Sequence, residues 1–218
     1  SRPALESAHL AEGVATVPGR AWSLTSLVKV RNLVPITQVA NGWVMSSGFA
    51  VSDFQGNITQ LPLDEAHDFF ADPSGIAVDP SGQRAYIASG GSDTVSVVDL
   101  DRVAAWLAKA DESSQPAGCF PSARPNSDAG ASEFGKALRT EAINDLALSA
   151  EYVVARIPTG RNPRQVAVSP DGALLFVSER LADSVLVVDT QTLESVGRIV
   201  LGDGGLKDPI RRGERVFT

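Results

Sequence analysis

Cysteine occurs once in the 218 residues, at Cys119, methionine once and histidine twice, and aromatic side chains make up only 6% of the chain. The two histidines, His9 and His67, show neither Glu-x-x-His nor His-x-His spacing, which excludes the multi-histidine copper and zinc sites that need several imidazoles on one ion. No apolar run reaches the roughly 18 residues of a membrane span. Positive charge is scarce too: 19 Lys and Arg stand against 26 Asp and Glu, for a formal net charge of −7 and a pI near 4.8. A surface of that sign repels phosphate, so DNA, RNA and anionic lipid are poor partners and a basic protein a better one. No Ser-His-Asp set, no glycine-rich phosphate loop and no signal peptide is visible. The remaining picture is a β-rich domain, 43% hydrophobic and 21% charged, with a mean hydropathy of +0.01.

The chain does contain an internal repeat. Residues 72–100 align without a gap on 162–190, at a constant offset of 90, with Pro73/Pro163, Val78/Val168, Gly82/Gly172, Asp93/Asp183, Val97/Val187 and Asp99/Asp189 among the identities. A repeat of this kind decides the fold before any single motif does. Ile76-Ala77-Val78 and Val166-Ala167-Val168 are apolar runs of strand length. Asp79-Pro80-Ser81-Gly82 and Ser169-Pro170-Asp171-Gly172 then place Pro and Gly where a tight turn needs them. Ala85–Ala88 and Leu175–Ser178 read as returning strands, Thr94–Asp99 and Ser184–Asp189 as third strands, and Val196–Leu201 as a fourth. The predicted fold class is all-β, with propeller blades of four antiparallel strands, an incomplete propeller in this chain, and a helical insertion.

Tyr152–Gly160 matches the outer strand that closes the first copy, so the residues at about 101–150 read as an insertion in that blade's last hairpin. Within it Arg102–Lys109 is rich in helix formers, Phe134–Leu148 forms a second helical run with Leu138, Ala142 and Leu146 on one face, and the stretch between is a loop rich in Ser, Pro and Gly. Such a cap packs on its own blade or binds a partner. Gly48–Ser52 echoes Gly75–Asp79 at an offset of 27, too short for a blade, and reads as a trimmed repeat. The expected organisation is an irregular N-terminal segment over 1–45, with candidate strands at Leu24–Val30 and Val34–Ala40, then blades over 46–202 and a linker over 203–218. Too few blades are present to close a ring, and Ser1 is not an initiator Met, so the chain reads as part of a longer polypeptide.

The run from Asn162-Pro163 through Ser169-Pro170-Asp171-Gly172 to Val187-Val188-Asp189 resembles the YVTN-type β-propeller repeat. The family's Tyr-Val-(Ala/Thr)-Asn tetrapeptide appears here in degenerate form as Tyr86-Ile87-Ala88-Ser89 and Phe176-Val177-Ser178-Glu179. The tail, Asp203 to Thr218 with Arg212-Gly213-Glu214-Arg215-Val216-Phe217, resembles the lead-in to the first haem module of dihaem cytochrome c peroxidase-like (MauG-like) proteins; read from residues alone it is a charged surface helix. The resemblance implies an extracytoplasmic setting, periplasmic or secreted, with c-type haem lying beyond this chain. Cys119 alone cannot supply two thioethers, so no haem is attached covalently here.

Six residues stand out for interaction. Trp106 and Leu107 lie on the inserted helix, which offers an apolar face; Cys119 and Phe120 lie in the inserted loop; Trp43, beside Val44-Met45-Ser46-Ser47-Gly48, is placed to line a face or to sit in the core. His67 lies among Asp64, Glu65 and Asp68, and reads as a candidate base or ligand or as a solvated histidine in an acidic loop. Cys119 is a free thiol, one half of an intermolecular disulfide, or a plain semi-buried side chain. Asp99 with Asp101, or Asp64 with Asp68 and Asp72, could gather oxygens for calcium, although Asp at a blade turn ordinarily caps backbone amides. Two functions follow. One is a non-catalytic scaffold in an extracytoplasmic dihaem peroxidase-like electron-transfer protein, docking a basic c-type cytochrome. The other is a free-standing binding module without a redox role. A propeller hydrolase of lactonase type is disfavoured by the lack of a His, Asp and Glu cluster. Either the remainder of its own polypeptide or another chain would complete the propeller.

Overall fold

The computed structural model describes residues 8–30, 45–112, 139, 141–202 and 213. Their strands form three antiparallel sheets. Sheet 1 contains β1 (Ala8–His9), β2 (Val14–Thr16), β3 (Trp22–Val30), β4 (Met45–Asp53) and β5 (Ile58–Pro62). β1 and β2 both pair with β3, Ala8 opposite Lys29 and Thr16 opposite Ser23, so together they act as one interrupted first strand. Sheet 2 runs β6 (Pro73–Val78), β7 (Arg84–Ser89), β8 (Thr94–Asp99), β9 (Val153–Pro158), and sheet 3 runs β10 (Pro163–Val168), β11 (Leu174–Glu179), β12 (Ser184–Asp189), β13 (Ser195–Val200). First strands meet one another: β6 lies against β2 and β3 on one side and β10 on the other. The fold is all-β and propeller-like, with a small helical insertion.

The first three strands of sheets 2 and 3 begin and end 90 residues apart, and the backbone shows why. Three positions in each copy adopt the left-handed conformation: Asp72 and Asn162 (φ 59° and 56°), Gly82 and Gly172 (73° and 76°), Asp93 and Asp183 (51° and 49°). Only Gly, Asn and Asp enter that region at low cost, so the repeated residues mark repeated turns. Gly82 and Gly172 close their hairpins by donating to the Asp79 and Ser169 carbonyls at 3.0 and 2.8 Å.

Alternation along the strands distributes the core. On sheet 2, Ala85, Ile87 and Val98 face sheet 1 in a cluster with Leu24, Phe49 and Leu61. Tyr86, Ala88, Val95 and Val97 point the other way and pack with Leu175, Val177, Leu186 and Val188 of sheet 3. Sheet 2 is therefore covered on both faces, whereas sheet 3 buries only the face turned to sheet 2, and all six residues of β13 are exposed.

Between β8 and β9 lie residues 100–152, beginning with α1 (Leu100–Glu112). The Asp99 carboxylate caps α1 by accepting from the amides of Asp101 and Arg102 at 2.9 and 3.0 Å, with Asp101 in the first turn and Lys109 in the last, as the helix dipole favours. Its counterpart Asp189 accepts from the amides of Gln191 and Thr192 at 2.8 and 2.9 Å, yet there the chain turns back at once through Leu193 in the left-handed region. One local device thus opens a helix in one sheet and a tight turn in the other, and the helix-forming run after Asp99 against Thr190-Gln191-Thr192 decides which.

Three expectations need correction. Gly48–Ser52 is no trimmed repeat: it lies within β4, paired on both sides, so its likeness to the first strand of sheet 2 is fortuitous. The helical run expected over 134–148 is shorter: Arg139 and Glu141 are helical, a 3-10 turn follows at Ala142–Asn144, and Asp145, whose extended backbone (ψ 94°) ends the turn, stops it before Leu146; Leu138 lies outside the described residues. Tyr152 does not begin the outer strand but ends a short helix, α2 (Ser149–Tyr152), because its ring is drawn into the core. The suggested strand at 34–40 also lies outside the described residues.

Candidate interaction surface

The polar groups near the first strands tie one sheet to the next. The Gly13 amide donates to the Ser26 hydroxyl at 2.9 Å, which donates to the Ser74 carbonyl at 2.6 Å. The Ser74 hydroxyl in turn reaches the Arg164 carbonyl at 3.1 Å. Glycine permits this closeness: a Cβ at Gly13 would stand 2.2 Å from the Ser74 carbonyl oxygen, and one at Gly75 would stand 2.5 Å from that of Arg164. The Arg164 guanidinium then spans all three sheets, pairing with Asp72 at 3.0 Å and Glu12 at 3.2 Å, with its Nε donating to the Asn162 side chain at 3.3 Å. The Asn162 amide donates to the Asp93 carboxylate at 2.7 Å, pinning the start of sheet 3 to sheet 2.

Toward the outer strands, Arg156 of β9 holds the connection between β5 and β6. Its guanidinium carbon lies 3.5 Å from the Phe70 ring centroid, and Nη2 donates to the Leu63 carbonyl at 2.5 Å and to Glu65 at 3.0 Å. Burial lowers the pKa of Arg156, and Glu65 works against that shift. Asp64, 1% exposed, accepts from the Ser47 and Phe70 amides at 2.7 and 2.8 Å and so fixes both ends of the same connection. In sheet 3 the buried Glu179 carboxylate accepts from the Gly160 amide, the Ser184 hydroxyl and Arg198, at 2.5, 2.6 and 2.9 Å.

The insertion packs on the chain itself. Leu107 is buried in the core shared by sheets 1 and 2, and Trp106 packs against that core while remaining partly exposed. The two are brought together, but Leu107 has no surface to offer a partner. Tyr152 sets its ring edge-on to Phe49, centroids 5.8 Å apart, and donates to the Pro62 carbonyl at 2.6 Å. His67 stands apart, exposed in the connection that Arg156 and Asp64 hold. Trp43, Cys119 and Phe120 lie outside the described residues. Of the carboxylates weighed for calcium, Asp99 caps α1, Asp101 pairs with Arg20, Asp64 binds two amides and Asp72 pairs with Arg164. Among the described residues no group of three or more His, Cys, Asp or Glu is placed to hold a metal ion, and no helix is long and apolar enough to cross a membrane.

A groove of about 420 Å³ separates the turns of sheets 2 and 3, lined by Asp79, Arg84, Tyr86, Asp171, Thr190 and Gln191. Arg84 crosses it, donating to the Thr190 carbonyl at 2.7 Å. At its base Tyr86 is only 1% exposed, and burial pushes the phenol's pKa up against the opposing pull of Arg84. The groove is therefore a stitched seam between sheets. Sequence reading did not single out Ser74, Arg156 or Arg164, because each acts on residues about 90 positions away in the chain; the repeated Asx-Pro pairs, Asp72-Pro73 and Asn162-Pro163, were the one signal that marked the junction of the first strands.

No family model matches the chain. It is 28% identical over 187 residues to hydrazine synthase subunit beta of Kuenenia stuttgartiensis, a match covering 85% of this chain and 42% of that protein. The solved structure of Kuenenia stuttgartiensis hydrazine synthase superposes with a TM-score of 0.65 at 24% identity, covering 86% of this chain and 47% of the other. The chain thus spans less than half the length of the proteins it matches, and what it shares with them is a propeller-like arrangement of four-stranded antiparallel sheets.

Proposed function

We propose that this chain is a non-catalytic, propeller-like scaffold within a multi-subunit enzyme of the hydrazine synthase kind. The observation that carries the reading is the match to hydrazine synthase subunit beta across 187 residues. The geometry supports it, because Ser26, Ser74, Arg156, Arg164 and Asp64 each join one sheet or connection to another. Such a body holds its outer surfaces in fixed relation, which is what docking several partners at set distances requires. In its finer form the proposal places the assembly outside the cytoplasm and takes its redox groups to be haem on partner chains or on further parts of the same protein. Covalent c-type haem does not fit this chain, which has one cysteine. With a net charge of −7, its field draws in a basic partner such as a c-type cytochrome and speeds their encounter.

Native purification from the source organism tests the reading. The expected result is elution with other subunits, far above the 22.9 kDa of this chain, together with a Soret band in the same fraction. A stable species containing this chain alone, without a visible chromophore, would overturn it in favour of a free-standing binding module.

A further inference from the structure

The outer strands of the three sheets are guarded unequally. In sheet 1 the 3-10 turn at Ala142–Asn144 packs against β5, and Arg139 donates to the Thr59 hydroxyl at 3.4 Å. In sheet 2, β9 follows directly on α2 and ends in Pro158. In sheet 3 all six residues of β13 are exposed. Val196, Ile199 and Val200 are 59%, 50% and 70% exposed, and Leu201 beyond them 69%. Folded chains ordinarily blunt such an edge with Pro, Lys, a bulge or a covering element, because its unpaired backbone groups are a template for another strand. β13 contains neither Pro nor Lys. Its one charge, Arg198, reaches inward to the buried Glu179 at 2.9 Å, and the bulge near its start is shared with β9.

The register shows which backbone groups are open. The Leu201 amide donates to the Asp183 carbonyl at 2.8 Å. Backbone groups alternate in direction along an antiparallel ladder, so those of Ile199 turn toward β12 and those of Arg198 and Val200 turn away from it. Val200 stands opposite Ser184 as Pro158 stands opposite Thr94, and Thr94 and Ser184 are repeat partners. At this one place, then, β9 carries a residue with no N–H to offer a further strand, and β13 carries one that has it.

We propose that β13 is the site at which an extended segment of another subunit adds to sheet 3 as a fifth strand, bonded to the open amides and carbonyls of Arg198 and Val200. Sheet 3 already has its four strands, so the addition is a contact on the rim and takes no part in completing the propeller. Side chains of the incoming strand alternate between Val200 on one side and Ile199 and Leu201 on the other. Both of its faces meet aliphatic groups, which suits β-branched residues. Glu194 is exposed before the strand, and Asp203 follows Gly202 beyond it in the sequence, so basic residues at the two ends of the segment are matched in charge. The same carboxylates disfavour a second copy of the chain, since two antiparallel β13 strands bring Glu194 of each toward the Asp203 end of the other. The inference rests on the scaffold reading for one thing only, that the donor of the strand is another subunit.

The test titrates the full chain with a fluorescently labelled probe, the capped peptide Lys-Val-Thr-Val-Thr-Val-Lys, and follows anisotropy together with amide exchange by nuclear magnetic resonance. Saturable binding is expected. It should slow exchange of the Arg198 and Val200 amides at least about tenfold, while those of Ile199 and Leu201, already turned toward β12, change little. Val200→Pro copies what Pro158 does in sheet 2, so it is expected to fold and to bind the probe at least about tenfold more weakly. A probe with Glu in place of both Lys residues should lose as much. Val200→Lys keeps the amide and sets a positive charge on the edge; it should show the same loss and serves if the proline variant does not fold. No saturable binding by the parent, or equal binding by the folded variants, would overturn the proposal. So would Arg198 and Val200 amides already protected in the chain alone: in a monomer the occupant would be the chain's own residues, and in a dimer a second copy. None of these outcomes depends on which subunits co-purify, so failure here is distinct from failure of the scaffold reading.

Discussion

The hydroxyl of Ser74 donates to the carbonyl of Arg164 at 3.1 Å, joining the first strand of sheet 2 to the first strand of sheet 3. The Ser74 carbonyl receives the Ser26 hydroxyl from sheet 1, so one residue touches all three sheets. Ser74→Ala removes a buried donor from this junction and should destabilise the protein by about 1–2 kcal/mol, the cost of a lost buried hydrogen bond. Urea unfolding followed by far-ultraviolet circular dichroism measures it; a midpoint equal to that of the parent would show that the hydroxyl does not hold the sheets.

Gly75 tests how tightly those strands are pressed together. A Cβ there would meet the Arg164 carbonyl oxygen at 2.5 Å and the Gln165 Cα at 2.8 Å, both backbone atoms that cannot swing aside. Gly75→Ala is expected to lower stability by about 1–3 kcal/mol, as overpacking does. Gly197→Ala, where nothing stands within 4 Å of the new methyl, should be close to neutral in the same assay.

The insertion separates packing from binding. Leu107→Ala opens a cavity in the core of sheets 1 and 2 and should cost about 2–4 kcal/mol. Trp106, partly exposed, is the residue of the pair whose replacement can weaken a partner contact. Trp106→Ala in a folded protein, assayed against a co-purified subunit by calorimetry, should reduce affinity; an unchanged affinity would confine the insertion to packing.

Acid should loosen the turns before it loosens the core. Desolvation works to raise the Asp53 pKa, but hydrogen bonds from the Asn57 side chain and from the Asn57 and Gln55 amides outweigh it and hold the carboxyl below its ordinary 3.8. Ser169 and the Ala173 amide do the same for Asp171, as the amides of Thr192 and Gln191 do for Asp189. A depressed folded-state pKa contributes stability that is fully present above 3.8 and is lost as pH falls through the folded-state value. The urea midpoint of the parent should therefore drop below about pH 4. A triple variant, Asp53→Asn, Asp171→Asn and Asp189→Asn, should show a shallower acid loss. Parallel pH profiles would assign the acid response to other carboxylates.

Sheets 2 and 3 were legible because their turns force unusual residues into fixed places. Asp93 and Asp183, Gly82 and Gly172, and Asp72 and Asn162 occupy backbone that other residues avoid, so they mark the unit at the constant offset of 90. Sheet 1 has left-handed positions of its own, at Leu10, Gly19 and Gly56, but they do not recur at that offset. Its first strand is interrupted between His9 and Val14, and Gly48-Phe49-Ala50-Val51-Ser52 in its third strand is a short apolar run like Gly75-Ile76-Ala77-Val78-Asp79 in a first strand, so the likeness does not fix a place in the sheet. The inserted segment misled for a different reason: Leu138, Ala142 and Leu146 satisfy a helical period, while Asp145 adopts an extended backbone, with the Ala147 amide bonded to its carboxylate at 3.0 Å, and breaks the run. The contacts that matter most for rigidity, Arg156 on Phe70 and Arg164 on Asp72, join residues far apart in the chain, and nothing local in either partner announces the other.

The unequal spacing of the last hairpins sets an order of assembly. In sheet 3 only residues 190–194 separate β12 from β13, whereas in sheet 2 residues 100–152 separate β8 from β9. Closing the longer loop costs about 2 kcal/mol more in chain entropy on the logarithmic scaling of loop closure, and non-local pairings of this sort slow folding. Pulsed hydrogen exchange during refolding should find β12–β13 amides protected before those of β8–β9. The Asn162 amide that bonds to Asp93 lies just beyond β9, so seating β9 also delivers sheet 3 to its neighbour. The insertion thereby acts as a clock for one bond: the third sheet can finish early, and Ser74 and Arg84 can already hold it, but the Asn162–Asp93 link waits for β9 to be seated.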